Sequence, residues 1–131
     1  MRYISVNLHA VMDYLMGILL IAGPYLFELK GDDPQSMVLY LFGGALLIYS
    51  ALTNYPLGLI KVIPMKVHLT MDIISGILLA ASPWIMGFAD TIFLPYLILG
   101  ILEILAGISS KTYPGQPTPV NIAGQEKVDN I

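Results

Sequence analysis

Apolar runs dominate the chain, and short polar stretches cut them into four. The runs cover about 4–27, 37–55, 67–88 and 92–109. Each is close to the roughly 20 residues a helix needs to cross the hydrocarbon core of a bilayer. Gly31, Asp32, Asp33 and Pro34 separate the first two runs with turn-forming residues, and Ala89, Asp90 and Thr91 separate the last two. A stretch from Tyr55 and Pro56 to Pro64 joins the two pairs. Polar residues inside the runs form no continuous face, so a soluble amphipathic bundle is disfavoured. The pattern predicts an all-α fold, a four-helix transmembrane bundle.

The two halves are related. His9, Asp13, Gly17, Pro24 and Tyr25 return as His68, Asp72, Gly76, Pro83 and Trp84, each at the same offset of 59 in the numbering. A gap-free register of that length is an internal duplication. Tyr55-Pro56 and Tyr113-Pro114 extend it to the second and fourth runs with a slip of one position. Each repeat is then a helical hairpin, and two hairpins of equal orientation are parallel repeats about an axis along the membrane normal. In an up-down-up-down bundle the first and third helices lie diagonally across the core. The division is 1–55 for the first hairpin, 56–66 for a linker, 67–110 for the second hairpin and 111–131 for a polar tail of disordered composition.

Composition strengthens the membrane reading. Of 131 residues, 56% are hydrophobic and only 11% are charged, with a mean hydropathy of +0.77. Ordinary soluble domains carry about 25% charged residues. A net charge of −3 without a basic cluster argues against nucleic acid. The absence of cysteine excludes disulfides, thiolate metal sites and thiol redox chemistry. Asn7, His9 and Asp13 interrupt the first run, so it reads as a retained helix rather than a cleaved signal. Arg2, Lys61, Lys66 and Lys111 fall at one end of a four-span topology; Glu28, Lys30, Asp32, Asp33 and Asp90 fall at the other. The positive-inside rule then predicts a multi-pass membrane protein with both termini in the cytoplasm.

Ionisable groups inside a bilayer are costly and normally face a bundle interior or a cavity. His9 and Asp13 share one helix face, as do His68 and Asp72. If both faces meet the pseudo-symmetry axis, the four converge. Glu103 in the fourth run is the fifth candidate. Its repeat counterpart is read as Gly44 or Ala45, so it breaks the symmetry. Three readings compete. The first is structural: each Asp accepts from a His, with His9 and His68 near enough to the interface to meet water or headgroups. The second is a metal or haem site with His9 and His68 as ligands, although no further cofactor is expected. The third is a proton or cation path through the five groups.

Gly17 and Gly76 permit close helix approach, as do Gly43, Gly44, Gly100 and Gly107. Pro83 frees a carbonyl one turn back, which a Ser hydroxyl or water can satisfy. Trp84 and Tyr25 suit a membrane interface. Asp72, Gly76, Ser82, Pro83, Trp84, Gly87 and Phe88 together resemble the SPW repeat, found in small bacterial membrane proteins with two helices per repeat. In the first repeat Asp13, Gly17 and Pro24 match, while Gly23 replaces Ser, Tyr25 replaces Trp and Glu28 stands at the position of Gly87. The resemblance implies the architecture and no activity. With no catalytic constellation in the sequence, the expectation is a non-enzymatic accessory protein. Its expected partners are the lipid bilayer and either a second copy or a larger membrane complex. The alternative is a transporter or a metal- or proton-binding protein using His9, Asp13, His68, Asp72 and Glu103.

Overall fold

A computed structural model describes residues 2–112. Four helices follow one another: α1 (Val6–Leu26), α2 (Pro34–Ala51), α3 (Met65–Ile85) and α4 (Leu94–Ser109). The Ser5 side chain caps α1 by accepting the Leu8 amide at 3.2 Å. Prolines open α2 and α4, where the missing N–H costs nothing.

α1 and α3 close with the same turn. The Leu29 amide reaches back to the Pro24 carbonyl at 2.7 Å, and the Phe88 amide to that of Pro83 at 2.8 Å. This wrap needs one left-handed residue. Gly87 supplies it at φ 78°; in the first repeat Glu28 takes it at φ 55°. The duplicated turn thus keeps its backbone where its glycine has been lost.

Paired glycines bring each hairpin together. A Cβ on Gly43 would stand 2.9 Å from the Gly17 carbonyl oxygen, and one on Gly100 would stand 2.5 Å from that of Gly76. These equivalent contacts relate α2 to α4 by an offset of 57, not by the 58 read from Tyr55 and Tyr113. The counterpart of Glu103 is therefore Leu46, not Gly44 or Ala45. Tyr55 follows α2 rather than ending it, beyond a helix that stops at Ala51. Tyr113 and the tail lie outside the described residues.

The linker repeats this symmetry. Ile63 pairs with Thr53, and Ile4 with Ser110. The Asn54 amide donates to Ile63, as the Lys111 amide does to Ile4. Arg2 seals the end of α4, donating to the Ser110 carbonyl at 2.6 Å. The linker is thus built structure, and α3 begins inside its expected range, at Met65.

The burial pattern is inverted relative to a soluble protein. His9, Asp13, His68 and Asp72 are buried, while Leu15, Ile18, Leu41 and Ile85 are exposed. Such a surface suits lipid rather than water. α1, α2 and α3 are long and apolar enough to cross a membrane. α4 has 16 residues because Ile92 and Phe93 stay outside it. It spans about 24 Å at the usual helical rise, short of the roughly 30 Å core.

Candidate functional site

α1 and α3 place His9, Asp13, His68 and Asp72 at one level, between two apolar clusters. One cluster holds Leu20, Leu39, Leu46, Leu79 and Tyr96; the other holds Val6, Ala10, Tyr55, Met65 and Leu69. All four polar residues turn inward across the diagonal. His9 Nε2 lies 3.1 Å from Asp13 Oδ1 and 2.9 Å from Asp72 Oδ2. His68 Nε2 lies 2.8 Å from Asp13 Oδ2 and 3.3 Å from Asp72 Oδ2. Each imidazole thus meets its own helix's carboxylate and that of the other repeat. The expectation that the histidines reach water or headgroups is corrected: both are 0% exposed. The linker and the segment before α1 cover them from that side.

Hydroxyls hold the outer nitrogens. Thr53 Oγ1 is 2.7 Å from His68 Nδ1, and Ser110 Oγ is 2.7 Å from His9 Nδ1. Thr53 also donates its proton to the Tyr49 carbonyl at 2.6 Å. Its oxygen is therefore the acceptor toward His68, and Nδ1 of His68 carries a hydrogen. Two phenols complete the shell. Tyr49 donates to Asp72 Oδ1 at 2.8 Å, and Tyr55 donates to Asp13 Oδ2 at 2.9 Å. Burial and the nearby Asp13 carboxylate push the Tyr55 phenol above its ordinary range, which keeps it a donor.

One atom in this network is unsatisfied. Nε2 of His68 is buried within 2.8 Å of a carboxylate oxygen, yet its ring N–H direction gives a hydrogen bond to neither Asp. One ligand atom from each of the four residues falls within a sphere where all lie within 4.8 Å of one another. At zinc-ligand distances of about 2.0–2.1 Å, the edge of a tetrahedral site is roughly 3.3 Å. Both imidazoles approach one oxygen of Asp72, Oδ2, at 2.9 and 3.3 Å, close to this edge, but they approach different oxygens of Asp13, so a cation requires the Asp13 carboxylate to turn. A Nδ1–H donated to oxygen, with Nε2 facing inward, is the arrangement that orients metal-binding histidines. The two imidazole rings pack edge to face with centroids 5.3 Å apart, which leaves no room for a haem plane between them.

The hydroxyl–imidazole–carboxylate order also resembles a nucleophile relay. Ser110 and Thr53 are both 0% exposed, however, and the Thr53 proton is already committed. Neither hydroxyl faces space for a substrate.

Glu103 stands beside the quartet without joining it. It is buried at 6% exposure, has no hydrogen-bond partner among the described residues, and lines a cleft with Asp13. The remaining repeat residues serve the frame. The Ser82 hydroxyl donates to the Leu79 carbonyl at 2.7 Å, the group that Pro83 leaves without an amide. Trp84 and Tyr25 are exposed on the outer rim, and Phe88 packs on Tyr96. Sequence reasoning missed Tyr49, Thr53 and Ser110, and read Tyr55 only as a helix terminator. Thr53 and Ser110 are equivalent at the offset of 57, and that register was the signal that could have found them.

A family model described as the SPW repeat domain matches residues 7–110. The chain belongs to the SPW repeat family. The match spans both hairpins, and with the apolar helices it makes this a small membrane protein. No curated protein and no solved structure matches the chain. Family membership therefore adds no activity, and the function must be argued from the quartet.

Proposed function

We infer that this SPW repeat protein is a small, non-enzymatic accessory protein of the bacterial inner membrane whose two repeats close around a divalent metal ion. The ligands are His9, Asp13, His68 and Asp72. The observation that carries this reading is the inward Nε2 of His68, buried among carboxylates without a hydrogen bond. Two neutral imidazoles, two carboxylates and one divalent cation sum to zero charge, which suits a bilayer interior. Nitrogen and oxygen donors in a closed four-ligand set favour zinc, with iron or manganese next. A closed and buried set supports a structural role, since catalytic sites keep an open position.

Arg2, Lys61, Lys66 and Lys111 at one end support cytoplasmic termini. Exposed leucines and isoleucines provide the lipid contact and a surface for a second copy or a larger complex. The test is elemental analysis of the protein purified in detergent after equilibration with zinc, beside a His9→Ala/His68→Ala variant. One zinc per chain, lost in the variant, is expected. Equal trace amounts in both would remove the metal and leave the quartet as a helix clamp.

A further inference from the structure

The pseudo-symmetry fails between α1 and α4, and there it leaves a cavity. Tyr49 on α2 lies in the cleft against α3, where its phenol donates to Asp72 Oδ1 and lies 3.4 Å from Ser75 Oγ. The equivalent position on α4, at the offset of 57, is Ala106. The equivalents of Asp72 and Ser75 on α1, at the offset of 59, are Asp13 and Met16. Asp13, Met16, Glu103 and Ala106 line a cleft of about 400 Å3 between α1 and α4. One repeat thus fills this space with a phenol, and the other leaves it open. The cleft faces the bilayer: Leu15, Leu102 and Leu105 line it and are about half exposed.

Its polar content is also specific. Leu46 in the filled half becomes Glu103 in the open half. Glu103 is more than nine-tenths buried and has no hydrogen-bond partner among the described residues. Its carboxyl oxygens are not sealed in the interior but open onto the cleft, where a carboxyl without a protein partner is costly against lipid. Ionised or protonated, it offers an acceptor oxygen. Among the described residues, no basic side chain lines the cleft. A second groove, between α2 and α3 at the Ser82 end, lacks this feature, because the Ser82 hydroxyl is committed to Leu79.

We propose that the α1/α4 cleft binds a membrane-soluble aromatic alcohol, a phenol or hydroquinone carrying an apolar tail, whose hydroxyl donates to Glu103. The ring takes the space that Tyr49 takes in the other repeat. The tail leaves past Leu15 and Leu102 into lipid. The protein's own phenol shows that the equivalent space takes a phenol ring; Tyr49 donates to Asp72, but the equivalent Asp13 already accepts from Tyr55, which leaves Glu103 to the ligand's hydroxyl. This site is separate from metal binding, since Glu103 is not one of the four ligands.

The probe is radiolabelled para-octylphenol, with octylbenzene as its match lacking the hydroxyl. Both are measured by equilibrium dialysis on the full chain in lipid nanodiscs, with empty nanodiscs as background. The phenol is expected to bind about 10-fold tighter than octylbenzene or better, the effect of one hydrogen bond to a charged or buried carboxyl. Ala106→Tyr copies the filled cleft and is expected to lose specific binding. Should that variant fail to fold, Glu103→Leu, which copies Leu46, is expected to bring the two probes to equal affinity. Equal binding of both probes to the unmodified protein would mean that any apolar chain fills the groove, and would overturn the proposal. Full phenol binding by Ala106→Tyr, or a retained hydroxyl preference in Glu103→Leu, would do the same.

Discussion

Within the helices, Gly100 is the position where one methyl group does most harm. Its Cβ would stand 2.5 Å from the Gly76 carbonyl oxygen, 2.6 Å from the Ala80 amide nitrogen and 2.7 Å from the Ala80 Cβ. Ordinary contacts lie at about 3.5–4.0 Å, so α3 and α4 must separate by roughly 1 Å. Two of the three atoms are backbone, and no rotamer change relieves them. Overpacking of this kind costs about 1–3 kcal/mol, while Ala gains up to about 1 kcal/mol over Gly in helix propensity. Gly100→Ala should therefore destabilise by about 1–2 kcal/mol. Gly44 is the control, because a Cβ there meets nothing within 4 Å. Gly44→Ala keeps the propensity gain and should stabilise by up to about 1 kcal/mol. The assay is reversible unfolding of both variants in mixed micelles, with a rising fraction of denaturing detergent. Equal stability of the two would refute the close approach of α3 and α4, and with it the offset of 57 that aligns the repeats.

Asp72→Asn leaves two buried imidazoles to share the single carboxylate of Asp13 and should destabilise by about 3–5 kcal/mol in the same assay. Asp90→Asn at the exposed turn should stay within about 0.5 kcal/mol of the parent; a comparable loss in both would contradict the buried network. Glu28→Gly should raise stability by roughly 0.5–1 kcal/mol, because it relieves a left-handed residue that glycine tolerates. A lower unfolding midpoint would show that Glu28 makes a compensating contact. Thr53→Val removes the acceptor for His68 Nδ1 and should weaken zinc affinity about 10–100-fold in a competition titration with a chelator. Unchanged affinity would exclude a part for Thr53 in orienting His68.

Much of this fold was written in plain periodicity. Four long apolar runs and an offset of 59 specified the hairpins, because lipid solvation forces the hydrogen-bonding groups into helices and the ionisable residues inward. The convergence of His9, Asp13, His68 and Asp72 was legible for the same reason: a spacing of four residues fixes a helix face, and a duplication sets two such faces opposite each other. The supporting shell was not. Thr53, Tyr55 and Ser110 lie beyond helix ends, where chain direction depends on backbone pairing with Ile63 and Ile4 rather than on any period. The aligned Tyr-Pro pairs also set the register of α2 against α4 one residue wrong, which hid the equivalence of Thr53 with Ser110 and of Tyr49 with Ala106. The length of α4 was overread because Ile92 and Phe93 are as apolar as a helix interior, and composition does not distinguish a capped start from a continuing span.

The central claim is that four residues from two repeats form one closed metal site. The most direct measurement is the visible absorption spectrum of the protein loaded with cobalt(II), beside the Asp13→Asn and Asp72→Asn variants. A tetrahedral set of two imidazoles and two carboxylates predicts the intense visible bands of four-coordinate cobalt, weakened or lost in each variant. A faint six-coordinate spectrum unaffected by either substitution would contradict it.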